Sequence, residues 1–257
     1  MAMSRAIFRE YDIRGVAGKD LTEEVATAVG GAYAAFLTEK RVKGALAIGR
    51  DNRPSGEGLH RALVAGLLAS GVDVVDIGIV PTPLAYWSQH NLDVVGGIQI
   101  TGSHNPPEYN GFKLGLATRS IYGADIQHIY DLAVVGKFPR GKGTLRHEQV
   151  IDRYVDDITA RVGKLVRDLK VVLDCGNGAG SLVAPKLFPK LGIKPRFLFC
   201  ESDGTFPNHH PDPTVPKNVE DLIAAVKKDR ADIGIAFDGD ADRIGVIDNT
   251  GEIIWGD

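Results

Sequence analysis

Short apolar runs that alternate with helical patterns constrain the fold of this 257-residue chain more than any other feature. Five of these runs are candidates for buried strands, at residues 45–49, 72–78, 94–100, 170–174 and 232–237. The segments between them place apolar residues at the spacing of an amphipathic helix, as in 21–39 and 56–69. Strands that alternate with helices predict the α/β class. We therefore expect two consecutive domains, each with a mostly parallel, doubly wound mixed sheet flanked by helices.

A basic segment divides the two sets of strands and helices. Residues 137–148 contain glycine and are poor in apolar side chains, as is typical near a domain boundary. We expect a first domain at 1–148 and a second at 149–257. The second domain is predicted to begin with a helix at 150–166.

The composition is that of an ordinary soluble globular protein, with 44% apolar and 25% charged residues. The net charge of −3 gives no indication of a general nucleic-acid or membrane surface. The N-terminal segment lacks the apolar core of a signal peptide, and glycine and aspartate interrupt the longest apolar stretch at 62–80. Cys175 and Cys200 do not have a metal-binding spacing. We expect reduced structural thiols in a cytoplasmic protein.

The segment DGDADR at 238–243 carries the first chemical signal. Asp238, Asp240 and Asp242 alternate, so in an extended segment their side chains would project on one side. Three such carboxylates would repel one another without a cation, and they suit a hard ion, Mg²⁺ before Mn²⁺ or Ca²⁺. An EF-hand is excluded because Arg243 and Asn249 stand where that loop needs glycine and glutamate. A solvated acidic turn is the simpler alternative.

The second signal is the loop TGSHNPPEYNGFK at 101–113, which follows a predicted strand. Its two consecutive prolines make it stiff and its two asparagines make it polar, and it presents Ser103 beside His104, with Lys113 at its end. A serine hydrolase would need the strained G-x-S-x-G turn, which is missing here. A serine accompanied by a metal site instead favours phosphoryl chemistry. The alternative is that these side chains only form a turn.

The glycines at 176–180 partly match the dinucleotide fingerprint G-x-G-x-x-G. Gly176, Gly178 and Gly180 give G-x-G-x-G instead, and the sixth position is Ser181. A tight turn that lets a helix pack closely is the favoured interpretation, and phosphate or nucleotide binding is the alternative.

The adjacent residues His209 and His210 resemble a pair of metal ligands. Pro207 and Pro211 flank them, and we expect a stiff crossing segment without a metal.

Three motifs together resemble the α-D-phosphohexomutase family, closest to its bacterial phosphomannomutase/phosphoglucomutase type: TGSHNPPEYNGFK, DGDADR and FREYDIRG. The resemblance runs along the whole chain but covers only the first two of the family's four domains. The family's sugar-binding motif G-E-x-S-G-H and its late phosphate-binding motif R-x-S-x-T-x-P are absent from this sequence. We therefore expect the N-terminal part of a longer protein.

The resemblance implies a role for each matching residue. Ser103 would carry the phosphoryl group, with a phosphoserine oxygen completing a Mg²⁺ site made by Asp238, Asp240 and Asp242. Lys113 would be the general acid or base, assisted by His104. Substrate and phosphate would be bound by Tyr11, Arg14 and Arg243.

The implied activity is reversible phosphoryl transfer between hexose 1-phosphate and 6-phosphate, for mannose or glucose, through a 1,6-bisphosphate. Glucose 1,6-bisphosphate or an equivalent would act as the phosphorylating activator. The expected partners are hexose phosphates, with neither nucleic acid nor membrane. This chain alone is expected to have poor activity, and an apolar edge at Ile253, Ile254 and Trp255 would favour self-association. Two alternatives are a non-catalytic Mg²⁺/phosphate-binding module and a nucleotide-binding oxidoreductase built on 170–201.

Overall fold

The computed structural model describes residues 3–163 and 167–256. The chain forms two compact units. Unit 1 comprises the residues up to Ile79 together with Ala85–Gly102 and Glu108–Gln149, and unit 2 comprises the residues from Val150 onward. Two short segments of the first half, Val80–Leu84 and Ser103–Pro107, group with unit 2. The predicted domain boundary at 148/149 is retained as a proposal.

The strands of unit 1 form one mixed sheet in the order β1-β5-β4-β2-β3-β7, with β6 beside β5. These strands are β1 Ile13–Val16, β2 Leu46–Arg50, β3 Val74–Ile79, β4 Gly96–Ile100, β5 Tyr109–Leu116, β6 Arg119–Ser120 and β7 Leu145–His147. The pairs β4–β2, β2–β3 and β3–β7 are parallel, whereas β5 runs antiparallel to each of its neighbours. The helices in this half of the chain are α1 Glu23–Glu39, α2 Gly56–Ala69, α3 Thr82–Asn91 and α4 Ala124–Val135.

Helices α1, α2 and α4 bury the main apolar core of unit 1 against the sheet. Two glycines allow the backbones of α1 and α2 to touch. A Cβ at Gly30 would lie 2.4 Å from the carbonyl oxygen of Leu63, and one at Gly66 would lie 2.2 Å from that of Thr27. The two helices can therefore pack in close contact on the sheet.

Unit 2 contains a second mixed sheet in the order β12-β11-β10-β8-β9. Its strands are β8 Val171–Asp174, β9 Arg196–Leu198, β10 Ile233–Phe237, β11 Ile244–Asp248 and β12 Ile253–Ile254. The pairs β10–β8 and β8–β9 are parallel, and β10–β11 and β11–β12 are antiparallel. Its helices are α5 Ile151–Val162, α6 Ala184–Lys190 and α7 Glu220–Asp229. One apolar cluster of unit 2 includes residues of α7, and another includes residues in and beside α6. Separate clusters are expected because successive side chains of a strand point to opposite faces of the sheet.

The predicted α/β class with helix-flanked mixed sheets is confirmed. Three local predictions differ from the structure. The sequence did not indicate α4, and the segment assigned to a domain boundary contributes strand β7. The helix predicted at 150–166 is observed at Ile151–Val162, and residues 164–166 lie outside the described residues.

The apolar edge predicted at the end of the chain lies on β12 and just after it. Ile254 and Trp255 are each 54% exposed, and Ile253 is half-buried. The expected self-association through this edge stays a prediction. No helix in the described part of the chain combines the length and the hydropathy of a membrane span.

Candidate functional site

Ser103 is buried in unit 2, and its backbone has the left-handed conformation with φ of +50°. Its hydroxyl donates a hydrogen bond to Oδ2 of Asp238 at 3.0 Å. Nδ1 of His104 lies 3.3 Å from the same hydroxyl oxygen. A residue other than glycine with positive φ is uncommon and is held there by its surroundings. The fold therefore presents this hydroxyl to a carboxylate on one side and to an imidazole on the other.

The three predicted aspartates form an acidic cluster, which is Asp238, Asp240 and Asp242. One carboxylate oxygen from each lies within 4.8 Å of the others. The convergence is as predicted, but the cause is different, because the segment is a turn with Ala241 at φ of +56° instead of an extended strand. Oδ1 of Asp238 fixes this turn by accepting hydrogen bonds from the backbone N–H groups of Asp242 and Arg243, each at 3.1 Å.

The charge of the acidic cluster is concentrated in a buried place. Asp238 and Asp240 are fully buried, and Asp242 is on the exposed side. Burial, followed by the charges of Asp240 and Asp242, raises the pKa of Asp238 to about 8. A hard divalent cation with oxygen ligands would relieve both effects, so these residues fit a metal site. Among the described residues, this is the only group of three or more potential ligands that could hold an ion.

Thr82 supports the acidic cluster, and only its position after a strand could have indicated this role from the sequence. Its buried hydroxyl donates a hydrogen bond of 2.6 Å to Oδ2 of Asp240. Its backbone N–H donates to the carbonyl oxygen of the same aspartate at 2.9 Å. Both contacts lie within unit 2. The hydroxyl contact orients the Asp240 carboxylate, and the backbone contact fixes the main chain of the same residue.

The glycine turn at 176–180 is a tight turn, and it packs against the backbone of the acidic segment at Gly239. The N–H of Ala179 donates to the carbonyl oxygen of Gly239 at 2.9 Å, and a Cβ at Gly178 would lie 2.6 Å from that oxygen. A Cβ at Gly239 would in turn lie 2.5 Å from the carbonyl oxygen of Ser103. The small side chains thus permit three backbone segments to meet at the site.

The predicted residues Tyr11, Arg14 and Lys113 belong to unit 1. Arg14 is buried and donates hydrogen bonds to the Gly102 carbonyl and the Asp12 carboxylate, whereas Tyr11 is 74% exposed. Arg14 pairs with Gly111 in the β1–β5 register. Because side chains alternate along a strand, Arg14 and the half-buried Lys113 project from the same face of the sheet.

Asp51 and Arg53 are supporting residues that the sequence reasoning missed. Asp51 accepts hydrogen bonds from the Thr101 hydroxyl at 2.8 Å and from the Gly102 N–H at 3.1 Å. Arg53 is fully buried, donates to Asp51 at 3.1 Å and lies where a Cβ of Gly102 would be. Both follow strand β2 directly, which is the same signal of polar residues after a buried strand that identified the other loops.

His209 binds a carboxylate in this structure. Its Nε2 lies 3.0 Å from Oδ2 of the buried Asp174, and its Nδ1 lies 2.9 Å from the carbonyl oxygen of His210. Burial alone would lower the pKa of His209, but the hydrogen bond and charge of Asp174 outweigh it and raise the pKa above 6.5. The pair anchors the proline-rich crossing segment beside Gly176.

Two protein-family models match the chain. The model of phosphoglucomutase/phosphomannomutase α/β/α domain I matches residues 5–138, and the model of α/β/α domain II matches residues 152–251. The matched ranges contain all the residues of the serine loop and of the acidic cluster.

Individual relatives agree. A phosphomannomutase/phosphoglucomutase of Pseudomonas putida is 46% identical across 100% of this chain, which covers 55% of that relative. A phosphoglucomutase of Neisseria meningitidis is 44% identical, with 100% of this chain and 56% of the relative covered. The crystal structure of a phosphoglucomutase/phosphomannomutase family protein from Burkholderia thailandensis matches with a TM-score of 0.95 and 45% identity, over 99% of this chain and 57% of that one.

The chain spans about half the length of the curated relatives it matches. The two family models nevertheless account for most of its residues, in chain order and over both sheets. The chain therefore belongs to the phosphoglucomutase/phosphomannomutase family of α-D-phosphohexomutases.

Proposed function

We propose that this chain supplies the phosphoserine and metal-binding part of a phosphohexomutase. The reaction is reversible transfer of a phosphoryl group between the 1- and 6-positions of a hexose phosphate, mannose or glucose, through a 1,6-bisphosphate. The names of the relatives support this proposal. Hexose phosphates are the proposed substrates, and the cytoplasm is the proposed location.

The contact between the Ser103 hydroxyl and Asp238 carries the proposal. A serine that only formed a turn would face solvent or the backbone, whereas this one is buried and faces a cluster of carboxylates. A phosphoserine here would bring roughly −1.5 to −2 further charge to an already acidic place. Such an arrangement is stable only with cations, and it is useful where a phosphoryl group is transferred.

Asp238, Asp240 and Asp242 would hold Mg²⁺, together with an oxygen of the phosphorylated Ser103. Bound Mg²⁺ supplies neutralisation of charge on the phosphoryl oxygens. The chain's own contribution is orientation, because the turn, the buried Thr82 hydroxyl and the close approach of Gly239 fix the carboxylates and the serine.

Proton transfer and phosphate binding are assigned to the remaining predicted residues. We propose that His104, whose Nδ1 is 3.3 Å from the hydroxyl, assists proton movement at the serine oxygen. Lys113 is the proposed general acid or base, and Tyr11, Arg14 and Arg243 are the proposed phosphate and substrate contacts. A Lys113→Met variant of the full-length protein is expected to lose most of its turnover while it keeps its Mg²⁺ affinity.

Low mutase activity is proposed for the 257-residue polypeptide itself. Binding energy from remote parts of a substrate orients the reacting oxygen, and about half the length of the relatives is not represented here. Turnover equal to that of a full-length relative, measured on this polypeptide, would contradict the proposal.

Phosphorylation is the direct test. The chain is incubated with Mg²⁺ and glucose 1,6-bisphosphate, the proposed activator, and its intact mass is measured. The expected result is a gain of one phosphoryl group that a Ser103→Ala variant does not show. Ser120→Ala is the matched control, because Ser120 is exposed on β6 and should leave the gain unchanged. A phosphoryl group retained by Ser103→Ala would disprove the assignment.

The two alternatives predict other outcomes. A non-catalytic Mg²⁺/phosphate-binding module would bind the bisphosphate without covalent gain of mass. A nucleotide-binding oxidoreductase would change the fluorescence of added NADH. The glycine turn that suggested the oxidoreductase is accounted for by its packing on Gly239, which leaves that alternative without a supporting observation.

A further inference from the structure

Two cysteines lie side by side at the carboxyl ends of neighbouring parallel strands in unit 2. Cys175 follows the last residue of β8, and Cys200 lies two residues beyond the end of β9. Their Sγ atoms are 3.3 Å apart, and both are free thiols. We call these two residues the thiol pair. Neither residue takes part in the proposed phosphoryl transfer.

The backbone on both sides of the thiol pair is fixed by hydrogen bonds. The N–H of Cys175 donates to the carbonyl oxygen of Leu198 at 3.1 Å, and the N–H of Asn177 donates to that of Phe199 at 2.8 Å. Phe199 has a left-handed backbone with φ of +47°, which redirects the chain immediately before Cys200. The proximity of the sulfur atoms is therefore built into the ends of the two strands.

The two thiols have different environments. Cys175 is fully buried, whereas Cys200 is partly accessible. The S–H of Cys175 donates a hydrogen bond to Sγ of Cys200. This hydrogen bond lowers the pKa of Cys200, whereas the same contact, burial and the nearby charges raise the pKa of Cys175. A partly exposed thiol with a lowered pKa beside a buried thiol is the arrangement of an attacking and a resolving cysteine.

We propose that the thiol pair is a reversible oxidation site that reacts with small-molecule disulfides of the glutathione class. The Cys200 thiolate attacks one sulfur of the oxidant, forming a mixed disulfide and releasing the first thiolate. Cys175 then attacks Sγ of Cys200, loses its proton to the released thiolate and expels the second thiolate. The proton that Cys200 gives up on forming its thiolate is taken up by the second released thiolate, so the chain loses two protons and two electrons and the oxidant is reduced to two thiols.

Closing the bond requires only a small movement. A disulfide has a sulfur–sulfur distance of about 2.05 Å, so the Sγ atoms must approach by roughly 1.2 Å. The sequence predicted reduced thiols with only a structural role. The proposal adds that the same pair can be oxidised reversibly.

The test uses the folded 257-residue chain and oxidised glutathione. After quenching with an alkylating agent, intact mass and a non-reducing peptide map are recorded. The wild type is expected to lose two hydrogens and to link the peptides that contain Cys175 and Cys200. Cys175→Ser should instead retain one glutathione on Cys200. Cys200→Ser should react at least about tenfold more slowly, because its remaining thiol is buried.

Three results would overturn the proposal. The first is a wild type that retains a stable mixed disulfide or does not react. The second is a Cys200→Ser variant that reacts faster than Cys175→Ser. The third is a wild type that forms the link no faster when folded than in denaturant, since folding would then give no proximity. The wild-type measurements decide the matter even where a variant folds poorly.

Discussion

The hydrogen bond from Thr82 to Asp240 offers the sharpest test of how the acidic cluster is held. We consider Thr82→Val, which replaces the hydroxyl by a methyl group of similar size and leaves the backbone N–H donor in place. Thr82 is fully buried, and its hydroxyl lies 2.6 Å from Oδ2 of Asp240. The change therefore removes one donor from a buried carboxylate and adds only the small difference in volume between a methyl and a hydroxyl group.

The expected cost follows from the charge of the acceptor. A hydrogen bond to a charged group contributes about 1.5–3 kcal/mol, and water cannot easily replace a donor at this buried position. We expect Thr82→Val to lower the free energy of unfolding by about 2 kcal/mol, which is up to a thirtyfold change in the unfolding equilibrium. For a urea m-value of about 2 kcal/mol/M, the midpoint falls by about 1 M.

Urea unfolding without added metal, followed by circular dichroism, measures this effect. Thr82→Ser is the matched control, because it keeps the hydroxyl and loses only the methyl group, so its midpoint should stay closer to that of the wild type. A Thr82→Val midpoint equal to that of the wild type, or lower stability in Thr82→Ser than in Thr82→Val, would refute the reasoning.

Three further predictions concern the same unit. Gly239→Ala places a Cβ 2.5 Å from the Ser103 carbonyl oxygen, so we expect a loss of about 1–3 kcal/mol in unfolding free energy and slower phosphoryl uptake. Gly56→Ala is the control that should not destabilise the fold, because the atom nearest to its new Cβ is 3.6 Å away. Because the pKa of His209 is raised, its ion pair with Asp174 stabilises the fold fully below pH 6.5 and less as the pH rises. In urea unfolding, the stability advantage of the wild type over His209→Gln should therefore shrink between pH 6 and pH 8. An advantage that grows over this range would contradict the assignment. Oxidation of the thiol pair closes a loop between positions 25 apart in sequence, and thermal unfolding should show a gain of up to about 3.5 kcal/mol that the reduced chain lacks.

The sequence predicted which residues come together at the site better than it predicted the residues that support them. Ser103 and the acidic cluster stand out in the sequence because polar residues directly after buried strands are unsuited to a hydrophobic core. The structure brings the Ser103 hydroxyl into contact with Asp238 of this cluster. Thr82 and Asp51 were missed because their side-chain partners are distant in sequence. Arg53 was missed because it supports Asp51 and also donates to the distant carbonyl oxygen of Tyr109. The contact of Thr82 with Asp240 spans 158 positions, and no local pattern encodes it.

The same limit applies to the fold. Helical and strand periodicity predicted most elements to within a few residues, since each depends on which face is buried. Helix α4 buries only Ile126, Ile129 and Ala133, so its apolar pattern is short and its exposed Val134 and Val135 obscure it. Strand β7 has no buried residue, so its sequence has the polar character of a boundary segment. Only its backbone pairing with β3 makes it a strand.

Backbone strain is a poor indicator of function until contacts are known. Eight non-glycine residues in the described part of the chain have a left-handed backbone, and most of them are in turns. Ser103 differs from exposed examples such as Arg41 because its side chain is buried and its hydroxyl meets a carboxylate. A glycine at this position would avoid a strain of about 1–3 kcal/mol, but it would remove the hydroxyl. Under the proposed function the hydroxyl is required at this position, and its hydrogen bond to Asp238 helps to hold the strained backbone.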